Sequence, residues 1–516
     1  MSAIEAEARD GGVIAERPIP GTPRPYAFPA VATHRLANGL TLLIADLPGR
    51  PLVSASVIMH TGAADEPPEL AGATVLAARA LSEGTEHYDA IGLIEASERL
   101  GASLHAEAGW DALSAGVDVP AARLPAALEL LAELILRPTF PPSEVERLRD
   151  ERLNDLLQVK ADPRRRAEQA FIETIYDPAS PYHRSAGGTS ETVEGLQASD
   201  LRTAYERGLD PARATLIVAG DVGTTDVPAV VDALFGAWTR AAGAADAGPI
   251  DDTGRTGGRI IRVIHRPGSV QTEIRVGHAG LPRRIPDFHA VSVMSAILGG
   301  LFNSRLNMRL REEKGYTYGA GAGFDLRRAA GPFAARAAVN TEVTVPAIVE
   351  MLNELSRMRD EPVTQAEVTA ARDYLIGVFP LRFETAGAVG GALGGLVVHG
   401  LDVDELVSYR SRIEAVDGAA ITAAARAHLH IDDAAIVLVG DADAFGAELE
   451  AAGLGPIVIE RDEGDEPAVG SEVDETPGAV DDAAEAGPTA GAEEPVVTGD
   501  DGTDEPDGIA GEVGPD

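Results

Sequence analysis

The stretch 299–319, GGLFNSRLNMRLREEKGYTYG, sets a guanidinium, Arg311, and a phenol, Tyr318, seven residues apart behind two glycines, Gly299 and Gly300. Both side chains donate hydrogen bonds. Glycines of this kind let a backbone approach other chains closely. A helix including Leu306, Leu310 and Arg311 should follow, with Gly315 as its stop. Tyr316 and Tyr318 then alternate around Thr317 as the start of a strand. Read locally, the pair has a plain account: an arginine near a helix C-terminus complements the dipole, and a strand tyrosine is a good half-buried filler. There is no cysteine, which excludes disulfides, thiolate zinc sites and a cysteine nucleophile. The 11 histidines are scattered. His428 and His430 fall in a segment that reads as a helix end. His60, His87 and His105 share the first half of the chain, and the sequence leaves their convergence open.

The elements that must carry these residues come in two similar sets. ATLIVAGDV at 214–222 is a buried-strand pattern closing on Gly220-Asp221, and AIVLVGDA at 435–442 closes the same way on Gly440-Asp441, 220 residues later. A helical segment precedes each. Two halves result, 31–238 and 259–460, joined by a small, polar, Gly-rich linker at 239–258. The first half should open with a hairpin turning at Asn38-Gly39. Helices are expected over 121–136, stopped by Pro138, and over 143–158, with Ser143 as N-cap and Glu146 three residues on. The second half mirrors them at 343–358 and 364–377. The simplest architecture is α+β, each half an antiparallel sheet with helices packed on one face. Residues 1–30 read as a flexible N-terminal arm.

Length and composition agree. The 516 residues suffice for several domains, and 45% are hydrophobic. Aromatics are only 4%, so Ala, Leu, Val and Ile must fill the cores. No apolar run is long enough for a transmembrane helix, and the opening MSAIEAEARDGG does not read as a secretory signal. The expected compartment is the cytoplasm. The net charge of −39 argues against nucleic acid and anionic membranes as partners. Much of it lies in 461–516, which carries 19 acids and one base and reads as a disordered acidic tail.

The Gly-Gly, Ser-Arg-Leu, Leu-Arg-Glu, Gly-x-x-Tyr succession at 299–318 is similar to the second half of insulinase-type (pitrilysin-type) peptidases. The resemblance covers nearly all of 31–445. It includes ANGLTLLIADLPGRPLVSASVIMHTGAADEP, RPTFPPSEVERLRDE, the Pro-Tyr-His-Arg stretch at 181–184 and TVEGLQASDLRTAYERGLDPARATLIVAGDV. It implies the fold of mitochondrial-processing-peptidase-like and LuxS-like metallohydrolases. It also implies that Arg311 and Tyr318 hold substrate opposite a zinc ion, with Gly299 and Gly300 beside them.

Active members of that family resemble one another in an inverted motif, His-x-x-Glu-His, in which both histidines bind zinc and the glutamate is the general base. Here the corresponding helix is GATVLAARALSEGT, 72–85, and Val75, Ala78 and Arg79 occupy the His, Glu and His positions. Valine has no donor atom, alanine takes no proton, and arginine is a permanent cation that repels zinc. The third-ligand position falls near Asp155–Leu156, with Glu151 nearby. The resemblance therefore implies a chain that binds no catalytic zinc itself. Zinc is expected in a homologous partner subunit, with this chain gripping peptide substrates in a heterodimer. The contrasting expectations are a catalytically inactive scaffold subunit of a larger complex and a lone peptidase with unrecognised zinc ligands.

Overall fold

The computed structural model describes residues 25–461 apart from 224 and 247. The acidic tail beyond Arg461 and the first 24 residues of the expected arm lie outside the described residues. Two six-stranded sheets form the frame. The first contains β1 (Val31–Arg35), β2 (Thr41–Asp46), β3 (Leu52–Met59), β4 (Ser103–Ala108), β5 (Leu113–Pro120) and β6 (Ala214–Gly220). The second contains β7 (Ile260–His265), β8 (Gln271–Ala279), β9 (Ala320–Phe324), β10 (Pro332–Asn340), β11 (Ala435–Gly440) and β12 (Ile457–Arg461). Their orders are β1-β2-β6-β3-β5-β4 and β12-β7-β11-β8-β10-β9. Five strands correspond one to one, β2–β6 with β7–β11, so the duplication seen in the sequence is a duplication of topology.

Antiparallel pairs dominate, but β2 runs parallel to β6, and β7 runs parallel to both β11 and β12. A strand that returns after a long helical excursion has no hairpin to reverse it and can pair in parallel. The edges differ. β1 reaches the first sheet through the expected hairpin, whose turn has Gly39 at φ 96° and Asn38 Nδ2 donating to the Phe235 carbonyl at 2.8 Å. β12 reaches the second through a helix, Ala442–Ala452.

β6 and β11 are buried along their whole length. Successive side chains point to opposite faces, and the two faces serve different cores. Leu216 and Val218 join the helices of the first half. Ile217 and Ala219 join a core built mainly by the second half, which includes Val389 and Leu393 of the helix Ala386–Val398. On β11, Ile436 and Leu438 face the second half's own helices. Ala435, Val437 and Val439 instead pack with Ala167, Ala170 and Phe171 of the helix Pro163–Ile175, from the first half. Each half thus covers one face of its sheet with its own helices, as expected, and lends one helix to the other half's second face.

The loan is clasped by charge. Arg275, only 2% exposed, donates from Nε to Glu168 at 2.7 Å and from Nη1 to Glu273 at 2.9 Å. Arg262 joins Glu173 of the same helix to Glu460 of β12. The reverse loan is a close packing of backbone on sheet: Gly390 faces Ser54 and Ala219, and Gly394 faces Ile58 and Ile217, where an added Cβ would make ordinary contact at 3.6–3.9 Å. A third tie runs between hairpin turns. Arg327 lies over the rings of Trp110 and Tyr182 at 4.9 and 4.7 Å, and Arg328 pairs with Asp65 at 2.9 Å.

Several local expectations need correction. Residues 25–30 are not loose: Phe28 is buried edge-on against Phe383, and Tyr26 stacks on the same ring. Ser143 does not cap its helix, which begins at Pro142 in the first-turn position where a missing N–H costs nothing. Residues 316–318 do not begin a strand; β9 starts at Ala320. No helix among the described residues is long and apolar enough to cross a membrane.

His278 on β8 gives the second half a pH limit. Its Nδ1 donates to the Ala279 carbonyl at 2.8 Å and its Nε2 accepts from the His430 amide at 3.0 Å, a pattern only the neutral ring satisfies. Burial holds its pKa down to about 4. A depressed histidine contributes stability that is present above the unfolded value near 6.5 and is lost as pH falls from there toward 4. The expected loss is about 3 kcal/mol. Melting curves from pH 7.5 to 4 should show it, with a shallower fall for His278→Gln, whose amide donates and accepts without titrating.

Candidate functional site

The helix at the zinc-motif position runs Ala73–Ala80 and is mostly core. Its N-terminus is held by Glu66, which accepts from the amides of Gly72 at 3.0 Å and Thr74 at 2.5 Å and pairs with Arg184 at 3.1 Å. That pairing accounts for one residue of the Pro-Tyr-His-Arg stretch. Burial still pushes the Glu66 carboxyl above its ordinary range. Val75 is half-buried, Ala78 is fully buried and Arg79 is exposed.

Arg79 donates to Glu151 at 2.9 Å. Glu151 is also bridged by Arg147, which binds Glu83 and Glu144 as well. One turn further along the same helix, Asp155 is taken by Arg152 and Arg165. Both carboxylates near the expected third-ligand position therefore already face guanidinium groups. Burial lowers the Arg152 pKa, Asp155 opposes this, and the charges of Arg165 and Arg79 add to the lowering. With no imidazole at the motif positions, a cation at Arg79 and the nearby carboxylates neutralised by guanidinium groups, these residues do not fit a zinc ion.

No alternative metal site emerges among the described residues. His87 pairs with Glu133, His105 stands 4.0 Å from Asp118, and His428 pairs with Asp287. The one cluster of suitable ligands among the described residues is His265, Asp441 and Asp443. His265 Nδ1 accepts the Ala442 amide at 3.1 Å, which leaves the proton on Nε2 facing Asp443. Asp443 is paired with Arg461 at 2.7 Å, and Asp441 accepts the amides of Gly268 and Asp443. These groups tie the β7–β8 turn to a helix start and offer no free lone pair on nitrogen.

This gives a test. The triple variant Val75→His, Ala78→Glu, Arg79→His should acquire zinc, measurable by metal analysis of the purified protein, because it restores two imidazoles and releases Glu151 from Arg79. Its metal-free form should melt lower than the parent, since a carboxylate replaces a buried methyl at Ala78.

The second-half residues are arranged differently. The chain turns at 301–304 and enters a helix that widens into π geometry over Met308–Glu313. Arg311 lies on that wide turn with its guanidinium 4.9 Å above the Phe302 ring, and its nearest carboxylate is Glu312 at 3.4 Å. Gly315, at φ 64°, closes the helix by donating to the Arg311 carbonyl, and the Tyr316 amide donates to Leu310. Thr317 is tied to the carbonyls of Gly319 and Ala338. Tyr318 projects outward, 91% exposed. Gly299 answers to packing: a Cβ there would fall 2.1 Å from the Ala322 amide nitrogen. Gly300 is exposed. No hydrogen bond or ion pair joins Arg79 to Arg311 or Tyr318 among the described residues.

Sequence reasoning missed Phe302 and Asn307. Asn307 is buried, donates to the Phe302 carbonyl at 2.7 Å and accepts from the Ala320 amide at 3.2 Å. A polar residue between Leu306 and Leu310, on the side the helix buries, was the available signal.

Comparison with known proteins places this geometry. Residues 41–184 match the family described as Insulinase (Peptidase family M16), and residues 195–375 match the one described as Peptidase M16 inactive domain. Together the two matches take in well over half of the chain, which belongs to the insulinase (M16) family as a member without the zinc motif. Among curated proteins it is 25% identical, over 70% of its length and 81% of the relative's, to an "Uncharacterized zinc protease" of Mycobacterium leprae. It is 23% identical to the "Non-peptidase homolog YmxG" of Helicobacter pylori over 72% of this chain and 84% of that protein. Among solved structures, a peptidase M16 inactive domain from Pseudomonas fluorescens shares the fold with a TM-score of 0.73. That match has 24% identity and covers 80% of this chain and 98% of that one.

Proposed function

We propose that this chain is the substrate-gripping subunit of a two-chain insulinase-type peptidase and that the zinc belongs to a homologous partner. One contrast carries the reading. The metal-motif helix is occupied by a cation, Arg79, paired to Glu151, while Arg311 and Tyr318 stand ready at an exposed surface with few competing partners. A partner with an intact His-x-x-Glu-His would supply the metal, the water and the carboxylate base. On this side, Tyr318 donates from its hydroxyl to the scissile carbonyl as negative charge builds on the oxygen. Arg311 presents its fork of N–H donors to neighbouring backbone carbonyls or a carboxylate and holds the peptide in register. Short, unfolded peptides are the substrate class such a surface suits.

Co-expression with a homologue bearing His-x-x-Glu-His, followed by a peptide-cleavage assay of each chain alone and of the pair, tests this. Activity that requires both chains supports it. A homologue equally active alone, or chelator-sensitive activity from this chain alone, overturns it. The relative named a non-peptidase homologue favours the second reading, a catalytically inactive scaffold or core subunit. Recovery of only unrelated proteins in a pull-down would support that.

A further inference from the structure

Beside Arg311 stands an exposed aromatic ring: Phe302 is 62% exposed. Exposed aromatic side chains cost free energy in water, and this one stands on a rigid mount. The buried side chain of Asn307 fixes the Phe302 carbonyl to the start of β9, and the Ser304 amide closes the turn on Leu301 at 3.0 Å. The Arg311 guanidinium carbon lies over the Phe302 ring, 4.9 Å from its centre, a cation–π contact. The rest of the ring is open. A group binding to Arg311 therefore meets a fixed aromatic wall next to the polar contact.

We propose that Phe302 is a specificity-determining residue for peptide binding. Its ring takes an apolar side chain of the peptide adjacent to the carbonyl that Arg311 holds, and the substrate class is unfolded peptides with a hydrophobic residue at that point. The inference rests on the gripping role proposed above and adds selectivity to it. Apolar side chains bury area against the ring, whereas short neutral polar side chains gain little from burial there. Because the Phe302 side chain is mostly exposed, truncating it leaves the core intact.

The test uses the full chain and a set of fluorescein-labelled ten-residue peptides, identical except for Leu, Phe, Ser or Asn at one central position. Fluorescence anisotropy of the wild type should show tighter binding of the Leu and Phe peptides than of the Ser and Asn peptides, by about tenfold. Phe302→Ala should level the series, and Phe302→Tyr should restore the ranking. Arg311→Ala should weaken every peptide alike, and Tyr318→Phe should leave binding nearly unchanged. If Arg311→Ala abolishes binding but the ranking survives Phe302→Ala, this inference is overturned and the grip stands. If the peptides do not bind, or bind equally well to Arg311→Ala, the grip itself fails and this inference with it.

Discussion

Tyr318→Phe, assayed in the reconstituted pair, is expected to lower kcat by about 10²–10³-fold, the loss of one donor to a developing oxyanion, or ~2.7–4 kcal/mol. KM should change little, because the ground-state carbonyl asks less of the hydroxyl than the transition state does. The folded state should be indifferent, since Tyr318 is almost wholly exposed and its hydroxyl contributes nothing to the core. Arg311 should divide differently. Arg311→Ala removes contacts made to both ground and transition states, so KM rises and kcat/KM falls. Arg311→Lys should rescue poorly, because an ammonium does not fork to two acceptors. Steady-state kinetics of the pair separate these outcomes. An unchanged kcat for Tyr318→Phe would remove the phenol from the mechanism.

The largest stability effect is expected at Phe171. This side chain comes from the first half but is buried on the second sheet, beside Val437 and Val439 and directly over Gly277. A Cβ built on Gly277 would come within 2.9 Å of its ring. Phe171→Ala should cost about 3–5 kcal/mol, the range for emptying a packed aromatic site. Thermal unfolding should show a single lowered transition, because the lost contact belongs to both halves at once. If only a transition of the first half moves, the coupling is weaker than the packing implies. For the same reason, residues 25–238 expressed alone should expose one face of β3 and β6 and aggregate.

The duplication, the first hairpin and the missing metal motif were legible in the sequence, and each for a physical reason. Two apolar runs of strand length, each ending in Gly-Asp at 220 and 440, read as strands buried on both sides. Asn-Gly specifies a tight turn, and a helix without imidazole or carboxylate has no atoms with which to hold a dication. The helix loan was hidden. PRRRAEQAFIETI reads as an ordinary amphipathic helix, and AGAVGGALGGLVV is too uniform to show a face. Periodicity reports that a helix has a buried side and never which sheet buries it. The strand expected at Tyr316–Tyr318 failed because alternation is only a local pattern. The amides of Gly315 and Tyr316 are spent on closing the preceding helix, so the chain cannot enter the sheet before Ala320. The Asn307 brace was hidden because its two partners, the Phe302 carbonyl and the Ala320 amide, lie on either side of the helix and no local pattern announces them.

The exchanged helices also set an order of assembly during synthesis. The first sheet has all its strands once Gly220 has been made, yet its second covering helix ends only at Val398. Between those two moments a growing chain carries an unfinished half with apolar strand residues facing water. Slowing translation in that interval, or stopping it there, would leave a species inviting capture by a chaperone, although the finished protein shows no such weakness.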